Sequence, residues 1–255
     1  MSKRLENKIA LVTGASRGIG QTIAVTYAQE GADLIITGRD RQGLEETESA
    51  ISQTGKSCLS LLADLRSEEE INRLATDALE WKGHIDVLVN NAGIAMPVDA
   101  DGKFGGLPAV WEIPAEVWEE TLAVNLTAPF LLTKLLVKQM ISRRSGKIIN
   151  VSTELGLYGA EGFGSYCASK FGLEGLTQVL ALELRPFRID VNALSPGGAV
   201  DTCMTRAIYG DEIAKQFLPR EIMIEPAIYL ASTESDGVTG QHINAKTWKT
   251  RSNGR

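Results

Sequence analysis

A chain of 255 residues is long for one compact core and short for two, so a single large domain over 1–255 is expected. Apolar residues at 44% and charged residues at 23% exclude a disordered chain, and a net charge of −6 lacks the basic excess that binding to a phosphate backbone needs. No apolar run reads as reaching the roughly 18 residues of a membrane helix, and residues 1–8 are polar, so a cytoplasmic protein with neither membrane nor nucleic-acid partners is expected.

Short β-branched apolar runs at 8–13, 33–37, 58–62, 86–90, 147–151, 188–193 and 242–244 alternate with helical patterns at 18–30, 41–53, 67–81, 115–142, 164–184 and 222–231. That alternation predicts an α/β fold, a doubly wound Rossmann-type parallel sheet of about seven strands with helices on both faces. Runs such as Val87-Leu88-Val89 are apolar without alternation, as a sheet covered on both sides demands. Two segments, 93–114 and 195–219, read as loops at the carboxyl ends of the fourth and sixth strands, where such sheets bind ligands. Residues 246–255 read as a loosely held tail.

Cys58, Cys167 and Cys203 are widely spaced and unpaired in pattern, which predicts reduced thiols and no metal site. The two histidines, His84 and His242, lie far apart without motif context, which places a hydrolytic triad behind other readings.

The segment Thr13-Gly14-Ala15-Ser16-Arg17-Gly18-Ile19-Gly20 follows a strand and opens a helix. Glycines at 14, 18 and 20 let backbone approach a pyrophosphate that the helix N-terminus then stabilises. About twenty residues on, where an acid would select a free ribose 2′-hydroxyl, the chain reads Thr37-Gly38-Arg39-Asp40. Arg39, with Arg17 from the glycine loop, suits a 2′-phosphate, so NADP(H) is favoured over NAD(H). Asp40 is the counterargument, since its carboxylate could take the ribose instead.

Tyr166 and Lys170 stand one helical turn apart, and an ammonium near a phenol favours phenolate, so the pair suits proton transfer beside a hydride transfer. With Asp64, Asn90-Asn91-Ala92-Gly93, Asn125, Asn150-Val151-Ser152-Thr153, Tyr166-Cys167-Ala168-Ser169-Lys170 and Ser195-Pro196-Gly197, the ordered set resembles the short-chain dehydrogenase/reductase family. The resemblance is to its single-domain branch and to the 3-oxoacyl-(acyl-carrier-protein) reductases within it, and it covers about 3–244.

The resemblance implies Tyr166 as acid/base, Lys170 on the nicotinamide ribose, and Asn125 holding a water in a proton relay. It implies Thr153, in the place of the family's usual serine, as the group that orients the substrate oxygen, with Ser152 in reserve. Gly14, Ser16, Arg17, Gly18, Ile19, Gly20, Arg39, Asp64, Leu65, Asn91, Ala92, Gly93, Pro196 and Gly197 would line the cofactor. The expected reaction interconverts a ketone and a secondary alcohol, with a small ketone, a sugar or polyol, or a steroid-like alcohol open as the substrate. Trp111 or Phe104 could touch that substrate, or simply anchor the loop. A 3-oxoacyl thioester on a carrier protein would need a basic landing area, for which Arg143, Arg144 and Lys147 are candidates. A non-catalytic nucleotide-binding sensor or scaffold is the reading from another class. A homotetramer or dimer packed through the helices of Asn125 and Tyr166 is expected, although Asn244-Ala245-Lys246 replaces the family's Asp-Gly-Gly at the C-terminal contact.

Overall fold

The structure, a computed structural model, describes residues 3–95 and 106–249. Strands β1 (Ile9–Thr13), β2 (Asp33–Gly38), β3 (Cys58–Leu62), β4 (Val87–Asn90), β5 (Gly146–Val151), β6 (Ile189–Ser195) and β7 (His242–Asn244) form one sheet in the order β3-β2-β1-β4-β5-β6-β7. Every pair is parallel, with Leu11 beside both Ile35 and Leu88.

Helices α1 (Gly18–Gln29), α2 (Arg41–Ser52) and α3 (Glu68–Lys82) follow the first three strands. Beyond β4 come α4 (Ala115–Leu122), α5 (Ala128–Arg143) and α6 (Gly164–Leu184), then α7 (Cys203–Tyr209), α8 (Asp211–Ala214) and α9 (Ile224–Ala231). Successive strand residues feed opposite cores because their side chains alternate faces. Val12, Leu34 and Ile36 meet Ile23, Tyr27 and Ile228 on one side. On the other side Leu11, Ile35 and Leu88 meet Leu74, Leu132 and Met140. The Tyr27 hydroxyl donates to the Ala227 carbonyl at 2.8 Å, tying α1 to α9 within the first core.

Strand order reverses between β1 and β4, so the connections after them leave in opposite directions and open a crevice at the carboxyl edge. The glycine loop and the Asn90-Asn91-Ala92-Gly93 segment border it.

Four expectations need correction. The run 115–142 is not one regular helix: Ala123–Thr127 forms a π turn between α4 and α5, and the run ends at Arg143, with Arg144 left-handed at φ 53°. This run spans 29 residues and is long and apolar enough by composition to cross a membrane, contrary to the expectation that no apolar run reaches that length. Its Leu132, Leu136 and Met140 are spent on the core. The loop at 195–219 contains α7 and α8, and Ser195 is the last residue of β6. The chain at 246–249 is held, since the Trp248 ring packs on Tyr229 with centroids 5.7 Å apart. Phe104 and 250–255 lie outside the described residues.

Candidate active site

At the end of β1, Gly14 and Gly18 adopt left-handed backbone, with φ values of 64° and 61°. Gly20 is needed for closeness rather than conformation. A Cβ there would meet the Gly14 carbonyl oxygen at 2.3 Å and the Asn91 side-chain nitrogen at 2.4 Å. The Asn91 amide is itself a tie, donating to the carbonyls of Thr13 at 2.8 Å and Gly14 at 3.2 Å. Thr13 answers with its hydroxyl, which accepts from the backbone N–H groups of Asn91 and Ala92. Asn91 and Ala92 therefore hold the glycine loop in shape from the β4 side.

We expect Gly20→Ala to cost about 1–3 kcal/mol of stability through overpacking and to abolish dinucleotide binding. Urea unfolding and fluorescence titration measure the two, and wild-type affinity in this variant would contradict the packing argument.

The N-terminus of α1 is built to receive an anion. Arg17 at the cap position is extended, no side chain caps the helix, and its first turn holds no acidic residue. The first-turn N–H groups and the helix dipole thus face outward without an internal competitor. Ile19 packs on the core below, while Ser16 sits 3.3 Å from where a Gly38 Cβ would be.

At the end of β2 the side chains divide their work. Asp40 is the N-cap of α2 and accepts from the Gly43 N–H at 3.2 Å. Arg39 is exposed and stands 3.8 Å from Asp64. Asp64 is gripped by Arg66 through Nε and Nη2, and those hydrogen bonds hold its carboxyl below the usual range. Arg66 also reaches Glu120 at 2.7 Å, and Leu65 is buried beside it.

Across the crevice, β5 ends at Val151 and delivers Ser152 and Thr153, while α6 presents Tyr166 and Lys170. The Thr153 side chain lies beside Tyr166 and favours the charged form of its phenol. Lys170 is buried, donates to the Val151 carbonyl at 2.8 Å, and lies 5.8 Å from the centre of the Tyr166 ring. Asn125, fully buried in the π turn, clasps Ile94: its amide donates to the Ile94 carbonyl at 2.8 Å and its oxygen accepts the Ile94 N–H at 2.9 Å. The inserted residue of the π turn is what brings this amide to the end of β4, a geometry often found at functional sites. A Cβ on Gly93 would stand 3.3 Å from the Asn125 oxygen and 3.8 Å from the Lys170 nitrogen, so the three meet at one point.

The electrostatics differ from the expected phenolate. Burial pushes the Tyr166 phenol up to about 12, with the charge on Glu154 adding to the rise and Thr153 opposing it. Burial pulls Lys170 down to about 8, against the attraction of Glu174. Burial thus favours the protonated form of the Tyr166 phenol.

Ser152 does not share the cleft with Thr153. Its hydroxyl donates to Glu174 and is buried. Trp111, on a 3₁₀ turn at Val110–Glu112, is 83% exposed, so its indole stands in solvent. Its neighbours do touch the site's support: Leu107 packs against Gly162, and Val110 against Gly164, at the start of α6. The proposed basic landing area is at the wrong edge. Arg143, Arg144 and Lys147 lie at the amino end of β5, where Arg143 pairs with Asp86 at 2.7 Å and Lys147 with Asp190 at 2.7 Å. Arg144 donates to the Pro186 carbonyl at 2.8 Å.

Pro196 is buried and Gly197 turns with φ 84°, directly after β6. The family model for short chain dehydrogenases matches residues 8–213. The chain belongs to the short-chain dehydrogenase/reductase family. A 2-dehydro-3-deoxy-D-gluconate 5-dehydrogenase of Bacillus subtilis is 37% identical over 94% of this chain and 93% of its own length. A 3-oxoacyl-(acyl-carrier-protein) reductase of Aquifex aeolicus is 34% identical over 96% of this chain and 98% of its own. Among solved structures, a Shigella flexneri short chain dehydrogenase complexed with NADP superposes with a TM-score of 0.86 at 30% identity, covering 96% of this chain and 100% of that one. The chain is thus an oxidoreductase of this family with a nicotinamide-dinucleotide type of fold.

Sequence reasoning missed two groups of residues. Thr13, which opens the glycine segment without an assigned role, and Arg66, which belongs to no motif, fix Asn91 and Asp64. Glu154, Glu174, Ser195 and His242, scattered over the chain, converge beneath Thr153. Only contacts between distant segments reveal them, so no local signal could have found them.

Proposed function

We propose that this enzyme reduces a ketone to a secondary alcohol with NADPH, Tyr166 donating the proton. The observation that carries the reading is the meeting of Thr153, Tyr166, Lys170 and Asn125 at one edge, opposite the uncapped helix and the glycine turn. When bound, the cofactor supplies the hydride.

The residues present fit such a group. Its pyrophosphate would lie on the α1 N-terminus between Gly14 and Gly20, with Ser16, Gly18 and Ile19 lining it. Its adenine would lie by Asp64 and Leu65, and its nicotinamide end by Asn91, Ala92, Gly93, Pro196 and Gly197. Arg39 and Arg17 would take a 2′-phosphate. Asp40, the residue that argued for a free ribose hydroxyl, is occupied as a helix cap, which supports NADP over NAD.

In the reaction Thr153 donates a hydrogen bond to the substrate oxygen, and its β-branch leaves few rotamers to lose on binding. Tyr166 delivers its proton to that same oxygen. Lys170 secures the ribose and Asn125 holds the chain behind it. Thr153→Ala should lower kcat/KM by about tenfold or more through the lost hydrogen bond, leave NADPH affinity unaltered, and be rescued by Thr153→Ser. A Thr153→Ser variant as poor as the alanine would refute the hydroxyl's role.

A 3-oxoacyl thioester is the alternative within the class, supported by the relatives of that name and weakened by the loss of its basic landing area to the far edge. Exposed Phe130 on α5 with Phe171, Val179 and Leu182 on α6 supports the homotetramer or dimer.

A further inference from the structure

Behind Thr153 lies a partly buried polar chain that the reaction above does not use. Ser152 donates to Glu174 Oε1, and His242 Nδ1 lies 2.8 Å from that same oxygen. His242 Nε2 is 2.9 Å from Ser195 Oγ, which in turn donates to Glu154 Oε1 at 2.7 Å. Asn244 closes the chain, its amide donating to Glu154 Oε1 at 2.8 Å.

The contact order Ser195–His242–Glu174 is that of a hydrolytic triad, but Ser195 is fully buried and its hydroxyl is shared between an imidazole and a second carboxylate. No acyl group can reach it. The chain instead connects the two walls of the active site. Ser152 and Glu154 flank Thr153 on either side, and Ser195 directly precedes Pro196 and Gly197. Asn244 stands under Gly197, where a Cβ would meet its oxygen at 2.3 Å.

Counting protons shows that the chain has two states. With His242 charged, both ring nitrogens donate: Nδ1–H to Glu174, Nε2–H to Ser195, leaving the Ser195 hydroxyl free to donate to Glu154. With His242 neutral and Nδ1–H still on Glu174, Nε2 becomes an acceptor and draws the single Ser195 proton to itself. Glu154 then keeps Asn244 alone. The residue that follows Thr153 loses one of its two anchors.

We propose that His242, through Glu174 on one side and Ser195 with Glu154 on the other, is a positioning residue whose protonation braces Thr153 against the Pro196–Gly197 wall. The proposal rests on the carbonyl-reduction reading for its kinetic consequence. The other charged and titratable groups around the chain are Lys170 and Tyr166, both on α6, and Lys246 just after β7. Two carboxylates against one imidazole favour the charged ring. The Glu174 hydrogen bond holds His242 above its ordinary value, with burial working against it. Since the folded pKa is the raised one, the stability this contact contributes is complete below the ordinary imidazole value and is lost as pH rises through the raised value.

The test follows the imidazole by NMR, with His84→Asn separating the two histidine signals, alongside pH profiles of kcat/KM and of the NADPH dissociation constant. In the wild type, kcat/KM should fall as pH rises through the midpoint at which His242 titrates, a midpoint above 6.5. Glu174→Gln should move both midpoints down together. His242→Gln, folded by circular dichroism, should be about tenfold lower in kcat/KM at acidic pH, the cost of about one hydrogen bond, and should lack the falling limb. A limb that persists at the same midpoint in His242→Gln belongs to Lys170 and overturns the proposal, as does an imidazole that titrates at or below 6.5. Should no carbonyl be reduced by the wild type, the reaction assignment falls. The brace is then decided by the NADPH dissociation constant, supported if its pH dependence tracks His242 and overturned if it does not.

Discussion

Tyr166→Phe is expected to lower kcat by about 10²–10⁴-fold, the usual contribution of a positioned proton donor, with NADPH affinity unchanged. The substitution removes one oxygen and keeps the ring, whose edge contact with Phe163 at a centroid distance of 6.4 Å holds it in place. Burial pushes the phenol up to about 12, which favours its protonated form, so under the proposed reading the wild type starts with its proton in hand. The variant must take that proton from water. Single-turnover oxidation of NADPH in the presence of saturating ketone measures the loss. A rate equal to wild type would mean that the proton comes from elsewhere.

Arg39→Ala is expected to weaken NADPH about ten- to a hundredfold while leaving NADH within about twofold. A charge-assisted hydrogen bond contributes about 1.5–3 kcal/mol, and each 1.4 kcal/mol is a factor of ten. The side chain is exposed and its nearest carboxylate, on Asp64, is 3.8 Å away and already satisfied by Arg66, so the guanidinium is available to a phosphate. Fluorescence titration with each cofactor reads both constants. Equal losses for the two would assign Arg39 to the surface alone.

Much of this was legible in the residues because the motifs and the fold share one cause. A glycine turn between a strand and a helix can only sit at the carboxyl end of β1, and the order of strands fixes what lies opposite it. Tyr166 and Lys170, four apart on one helix, had to share a face. The π turn at Asn125 was not legible, because an inserted helical residue leaves no mark in apolar spacing. Helices α7 and α8 were hidden by Pro196, Gly197, Gly198 and Pro219, which dominate the local pattern. The basic cluster at 143–147 looked like a docking site because sequence shows proximity and not which end of a strand a residue occupies. Asp40 shows the same lesson at a single residue: its carboxylate could be placed near the ribose or on a helix N-terminus, and only the hydrogen bond to the Gly43 N–H decides.

Protonation was the least legible property. A lysine one turn from a tyrosine suggests a lowered phenol, yet Lys170 turns to the Val151 carbonyl and burial outweighs it on both groups. The same holds for His242, unremarkable in sequence, whose partners come from β6 and α6.

The most direct measurement is the oxidation of reduced cofactor by a panel of ketones, followed by absorbance with NADPH and NADH in parallel. The account predicts ketone-dependent consumption of NADPH, faster than of NADH at equal concentration, with one molecule of alcohol formed per cofactor oxidised. Tight binding of NADPH with no consumption by any ketone, or by the reverse reaction with any alcohol, would contradict it and leave a protein that holds the dinucleotide without turning it over.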